Sequence, residues 1–94
     1  MNKEYIINLI DEINKIELGS IVTITREDND GAHRYKVEYD EEYNDMELIS
    51  LEEEDAIWGT NSETIKEIRE ELLCHGIRGD YDKLEVLTLN KVVL

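Results

Sequence analysis

At 94 residues the chain has room for one hydrophobic core and not two, so a single domain over residues 1–94 is expected. With 40% hydrophobic residues it has enough apolar surface to fold despite 24 acidic against 10 basic residues, a formal charge of −14. That charge argues against direct binding to nucleic acid or to anionic membrane surfaces and favours basic partners; the lone Cys74 excludes an intramolecular disulfide, and the short apolar runs fall well below the roughly 20 residues of a bilayer span, so a cytoplasmic location is expected.

Residues 3–17 place Ile6, Ile7, Leu9, Ile10, Ile13 and Ile16 at helical spacing, which predicts an amphipathic helix with Asn2 as its cap and Gly19 just past its end. An Asp11–Lys15 pair is expected on its wet side. After Gly19 the period becomes two. "SIVTITRE" is rich in β-branched residues, and "HRYKVEY" alternates His33, Tyr35, Val37 and Tyr39 with Arg34, Lys36 and Glu38. With "DNDGA" between them, they predict a hairpin. A third strand, "MELISL", follows the acidic loop "DEEYND".

"TNSETIKEIREELLCHG" predicts the second helix, with a Thr60–Glu63 capping box, a stripe of Ile65, Ile68 and Leu72, and Gly76 as its stop. "KLEVLTLNKVVL" predicts a last strand burying Leu84, Val86, Leu87 and Leu89. The order is α-β-β-β-α-β, an α+β fold of two layers, with both helices on one face of an antiparallel or mixed sheet.

No motif announces catalysis. There is no phosphate-binding glycine loop and no nucleophile elbow, and "REDNDGAHRYKV" fails as a calcium loop because Arg26 and Val37 stand where carboxylates are required. Cys74 and His75 are neighbours on a helix and diverge by about 100°, so they form no relay; Cys74 is expected to be a small buried side chain and His75 to face the negative helix end. No catalytic, cofactor or metal site is assigned, and the chain is not expected to be an enzyme.

The distinctive feature is charge segregation. From Val37 to Ile65 there are eleven carboxylates and no Lys or Arg. Adjacent like charges cost folding free energy, so an uninterrupted run is either a solvated, solubilising face or a surface for Lys and Arg. If the run continues as a strand, Glu38, Asp40 and Glu42 share a face at steps of about 6.6–7 Å, similar to the phosphate spacing of a nucleic acid strand. The expected partner-binding set is Glu38, Asp40, Glu41, Glu42, Tyr43, Asn44, Asp45, Glu47, Glu52, Glu53, Glu54, Asp55 and Trp58, with Tyr39, Tyr43 and Trp58 as aromatic anchors for arginine.

At "DEEYNDMELISL", Asp40 to Leu51, the sequence resembles the small acidic phage anti-CRISPR proteins, DNA mimics that occupy the groove in which a type II effector nuclease reads the DNA flanking motif. The opening helix, the three-strand meander and the overall acidity are similar as well, while the closing strand departs from the helical end of that group. The resemblance implies contact through Asp40, Glu41, Glu42, Tyr43, Asn44 and Asp45, and a non-enzymatic inhibitor whose partner is a basic nucleic-acid-binding protein. Two other readings fit the same acids: an immunity or antitoxin-like protein that neutralises a basic toxin, and a small phage or bacterial domain whose acidity serves solubility. The sequence leaves the oligomeric state open.

Overall fold

The computed structural model describes residues 3–27, 31–52, 57–58 and 62–88. Its elements are α1 (Lys3–Ile13), β1 (Ile21–Arg26), β2 (Gly31–Asp40), β3 (Asp45–Ser50), β4 (Ile57–Trp58), α2 (Ile65–Ile77) and β5 (Lys83–Leu87). The expected α+β order holds, with the two-residue β4 added beside β3. All pairings are antiparallel, and the strands lie in the order β4-β3-β2-β1-β5.

The register sorts the side chains onto two faces, because residues directly opposite each other in an antiparallel pair share a side. Val22 and Ile24 stand beside Val86 and Leu84 on β5 and beside Tyr35 and His33 on β2; Val37 and Tyr39 stand opposite Leu48 and Met46 on β3. Val22, Ile24, Val37, Met46, Leu48 and Leu84 are buried in one cluster with Leu9, Ile13 and Ile16 from the N-terminal region and Ile68 and Leu72 from α2. Both helices therefore cover one face. The opposite face carries Ile21, Thr23, Lys36, Glu38, Asp40, Asp45, Glu47 and Ile49, and among the described residues no element lies over it.

Local detail differs from the sequence expectation in instructive ways. α1 stops at Ile13, short of the expected residue 17; a turn follows, and Ile16 is still fully buried, its carbonyl accepting from Arg69 Nε and Nη2 at 3.0 and 2.6 Å. Ile7 and Ile10 are exposed, and α1 buries Leu9 and Ile13. Lys15 pairs with Glu12 at 2.6 Å instead of with Asp11. Asn2 lies outside the described residues. Gly19 does adopt positive φ, +91°, inside the connection that leads into β1.

α2 begins four residues later than the first capping box suggests. Thr64 is its N-cap: its hydroxyl oxygen accepts from the Glu67 backbone N–H at 3.1 Å, and Glu67 Oε1 accepts from the Glu63 N–H at 3.2 Å. Thr60 lies outside the described residues. Gly76 is buried within the helix, where a Cβ would sit 2.5 Å from Leu9 Cδ2 and 2.7 Å from the Tyr81 hydroxyl; Gly79, at φ +84°, turns the chain just past the end. Cys74 is exposed rather than buried. On β5 Leu84 is buried and Val86 half-buried, but Leu87 is 60% exposed because alternation turns it to the open face. Leu89 lies outside the described residues. No described helix is long and apolar enough to cross a membrane.

Candidate functional site

The β2–β3 hairpin concentrates the acids. β2 runs on past the start of β1, so residues 38 to 47 form its far end, with Glu41–Asn44 as the turn. Asp40 stabilises that turn: its Oδ1 accepts from the Glu42 N–H at 2.8 Å and from the Tyr43 N–H at 3.3 Å. Asn44 takes φ 54°, a left-handed conformation that Asn tolerates, and its Oδ1 accepts from the Tyr39 hydroxyl at 3.1 Å. The charged turn is thus locally determined, by one Asp and one Asn at the positions that need them.

On the open face, register makes Glu38 the direct partner of Glu47, and Asp40 the direct partner of Asp45. Like charges facing each other across strands destabilise a sheet. One carboxylate oxygen from each of Asp40, Asp45 and Glu47 lies within 4.8 Å of the others. The Glu47 carboxyl is held above its ordinary range, first by loss of surrounding water, then by a hydrogen bond to Asp40, then by the charges of Asp40, Asp45 and Glu38. Asp45 Oδ1 is buried with no hydrogen-bond partner among the described residues, an arrangement that costs about 1–3 kcal/mol. The ion pairs among the described residues leave these four acids out.

The expected contact residues divide clearly. Glu38, Asp40, Asp45 and Glu47 come together on the open sheet face; Glu41, Glu42, Tyr43 and Asn44 project from the turn, Tyr43 70% exposed. Glu42 is part of the turn and does not extend the row of Glu38 and Asp40, since the chain reverses after Asp40. Glu52 stands apart from the group, bound to Arg34 Nε at 2.9 Å and accepting from the Arg34 backbone N–H, and the guanidinium hydrogen bond keeps its carboxyl below the usual range. Glu53, Glu54 and Asp55 lie outside the described residues, as does the Trp58 side chain; the Trp58 backbone pairs with Leu48. Tyr39 is 43% exposed at the hairpin end.

The Glu38–Glu47 and Asp40–Asp45 oppositions were not read from sequence. They depend on the two-to-two register across a four-residue turn, and the signal available was the alternation of "YKVEYD" and "DMELIS" about a common Asp–Asn turn. Chemically, the surface offers fixed anions to a cation: each carboxylate accepts hydrogen bonds from guanidinium or ammonium groups, and incoming positive charge relieves the repulsion among them. Comparison with known protein families, curated proteins and solved structures finds no match for this chain.

Proposed function

We propose that this protein is a non-enzymatic inhibitor whose acidic β2–β3 hairpin enters a basic, phosphate-binding surface of a nucleic-acid-binding protein, such as a nuclease. The observation that carries the reading is the two directly opposed carboxylate pairs, Glu38–Glu47 and Asp40–Asp45, held on adjacent strands and outside every ion pair among the described residues. A merely solubilising charge has no need to be stacked in this way. A cationic groove, in contrast, converts the stored repulsion into binding free energy and releases counterions from both partners.

Along β2 Glu38 and Asp40 stand about 6.6–7 Å apart, a step that arginines positioned for successive phosphates can span. Tyr43 at the tip supplies an exposed ring for stacking on a guanidinium. The likeness of Asp40–Leu51 to phage anti-CRISPR proteins favours an anti-defence target, with the flanking-motif groove of an effector nuclease as the first one to try. Neutralisation of a basic toxin uses the same acids and differs in where they dock.

The test is competition at controlled salt. Inhibition of the target should weaken steeply between about 50 and 200 mM salt, target nucleic acid should displace the protein, and the triple reversal Asp40→Lys, Glu41→Lys, Glu42→Lys should abolish binding. Binding that survives the reversal rejects the reading; binding that is lost on reversal but coexists with bound nucleic acid assigns the acids to an exosite, as toxin neutralisation requires.

A further inference from the structure

The open face of the sheet is not uniformly polar. Register places Leu87, Ile21, Lys36 and Ile49 side by side across β5, β1, β2 and β3. At about 4.8 Å per strand spacing this row is about 14 Å long. Leu87 is 60% exposed, and Ile21 and Ile49 are half-buried. Lys36 fills the remaining place with an aliphatic stem, and its ammonium enters none of the ion pairs among the described residues. Two residues from Lys36 and Ile49 along their strands stand Glu38 and Glu47, the first of the two opposed acidic pairs. An aliphatic strip therefore borders the acidic patch on the same side of the sheet.

An antiparallel sheet with one face in water commonly carries polar side chains there. Ile21, Ile49 and Leu87 break that alternation on a face that no described element covers. Solubility does not account for them, and a purely ionic partner gains nothing from aliphatic neighbours. The occupant has to offer both chemistries. Charge complementarity calls for Lys or Arg beside the acids, and argues against a second copy of this chain, which brings another formal charge of −14. A sheet face presents side chains alone, so an extended segment would find no partners there for its peptide groups and belongs at a sheet edge. A helix satisfies its own backbone, and laid on the open face it completes a third layer.

We propose that the open face docks an amphipathic basic helix of the partner protein, with the helix's apolar stripe on Ile21, Ile49 and Leu87 and the Lys or Arg residues of one flank against Glu38 and Glu47. The proposal rests on the reading that the acidic hairpin engages a basic protein, and adds the element and the apolar contact by which that protein is held. Nucleic-acid-binding proteins commonly present cations to phosphates on helices, so such an element is at hand in the proposed class of target.

The experiment is a titration of the ¹⁵N-labelled protein with acetyl-Leu-Arg-Lys-Leu-Leu-Arg-Lys-Leu-Leu-Arg-Lys-Leu-amide, whose leucines share one helical face, at about 50 mM salt. The controls are an isomer with leucine at every second position and acetyl-hexa-arginine-amide, which has the same charge. The amphipathic peptide should gain helicity in circular dichroism and give saturable amide shifts centred on Ile21, Lys36, Ile49 and Leu87 as well as on the acidic pairs. Hexa-arginine should shift the acidic pairs alone and bind roughly tenfold more weakly. Leu87→Ser with Ile49→Thr should weaken the amphipathic peptide roughly tenfold and leave hexa-arginine within about twofold. Leu87→Ser alone, at the exposed end of the row, should give part of the loss and guards against a folding effect at Ile49. If hexa-arginine binds the acidic pairs but the amphipathic peptide binds no tighter, or ignores both substitutions, the helix-docking proposal falls and the acidic-hairpin reading stands; if neither peptide binds, both fall. Equal binding of the isomer, shifts that centre on α1, or concentration-dependent shifts of these residues in the free protein, which assign the face to a second copy, also overturn the proposal.

Discussion

Replacing Glu47 by Gln isolates the cost of the acidic face, because the side chain keeps its shape and loses its charge. Glu47 faces Glu38 across the strands and shares a space of under 4.8 Å, measured between carboxylate oxygens, with Asp40 and Asp45. A pair of unit charges about 5 Å apart repels by about 0.8 kcal/mol in bulk water, so three neighbours amount to about 2.5 kcal/mol without screening. At physiological salt, with a Debye length of about 8 Å, roughly half of this remains. Glu47→Gln should therefore stabilise the protein at neutral pH by about 1–2 kcal/mol at low salt and by about 1 kcal/mol or less at physiological salt. For a domain of this size each kcal/mol raises Tm by about 4–8 °C. Paired thermal and urea unfolding curves at the two salt levels measure the effect, and binding to a basic target should fall as stability rises. A variant that is neutral or less stable at low salt, or whose gain ignores salt, refutes the idea that these anions are held against their own repulsion.

The same residue shapes the pH profile. An acid whose folded pKa is raised binds more protons when folded, so its penalty is present above that pKa and is relieved as the pH falls toward the ordinary value of 4.5; stability should rise gently from neutrality toward mildly acidic pH, and Glu47→Gln should flatten that rise. The carboxyls of Glu12, Glu52 and Asp80 are lowered, chiefly by hydrogen bonds from Lys15, Arg34 and His75, so their stabilisation is present above the ordinary values of 4.5, 4.5 and 3.8 and is lost as the pH falls through their folded pKa values; a steep acid limb below about pH 4 should appear in circular dichroism. Gly76→Ala should destabilise by about 1–3 kcal/mol in urea titration despite better helix propensity, because the methyl meets Leu9 and Tyr81. Arg69→Met should cost about 1–3 kcal/mol by leaving the Ile16 carbonyl without its guanidinium donor, and unfolding with unchanged stability rules that role out.

What the sequence made legible was periodic and local. The change from helical spacing in α1 to alternation in β1 and β2 marks both elements because one face of each is buried, and the Asp–Asn turn at 40–45 is written in its own residues. The start of α2 was ambiguous for a physical reason: "TNSE" and "TIKE" both have the capping-box spacing. The second provides the cap, while Ser62 just ahead of it is buried, its carbonyl accepting from the Met46 N–H at 2.7 Å and its hydroxyl donating to Glu71 at 3.0 Å. Gly76 looked like a stop because glycine commonly ends helices, yet its reason is the approach of α1 and Tyr81, which no local pattern encodes. β4 has two residues and exists through pairing with β3. The aliphatic row of the open face unites Ile21, Lys36, Ile49 and Leu87, brought together when β5 pairs with β1 across more than fifty residues of chain.

Cys74 is the only sulfhydryl in the chain, and it lies exposed on a helix that covers the side of the sheet away from Glu38, Asp40, Asp45 and Glu47. Its position offers a handle for fluorophores, cross-linkers or surface tethering that leaves the anionic hairpin clear. Under oxidising storage a disulfide between two such exposed thiols would link two molecules into a bivalent particle. Preparations used to measure affinity should therefore be kept reduced or carry Cys74→Ser, since avidity in the coupled form would masquerade as tight monomeric binding.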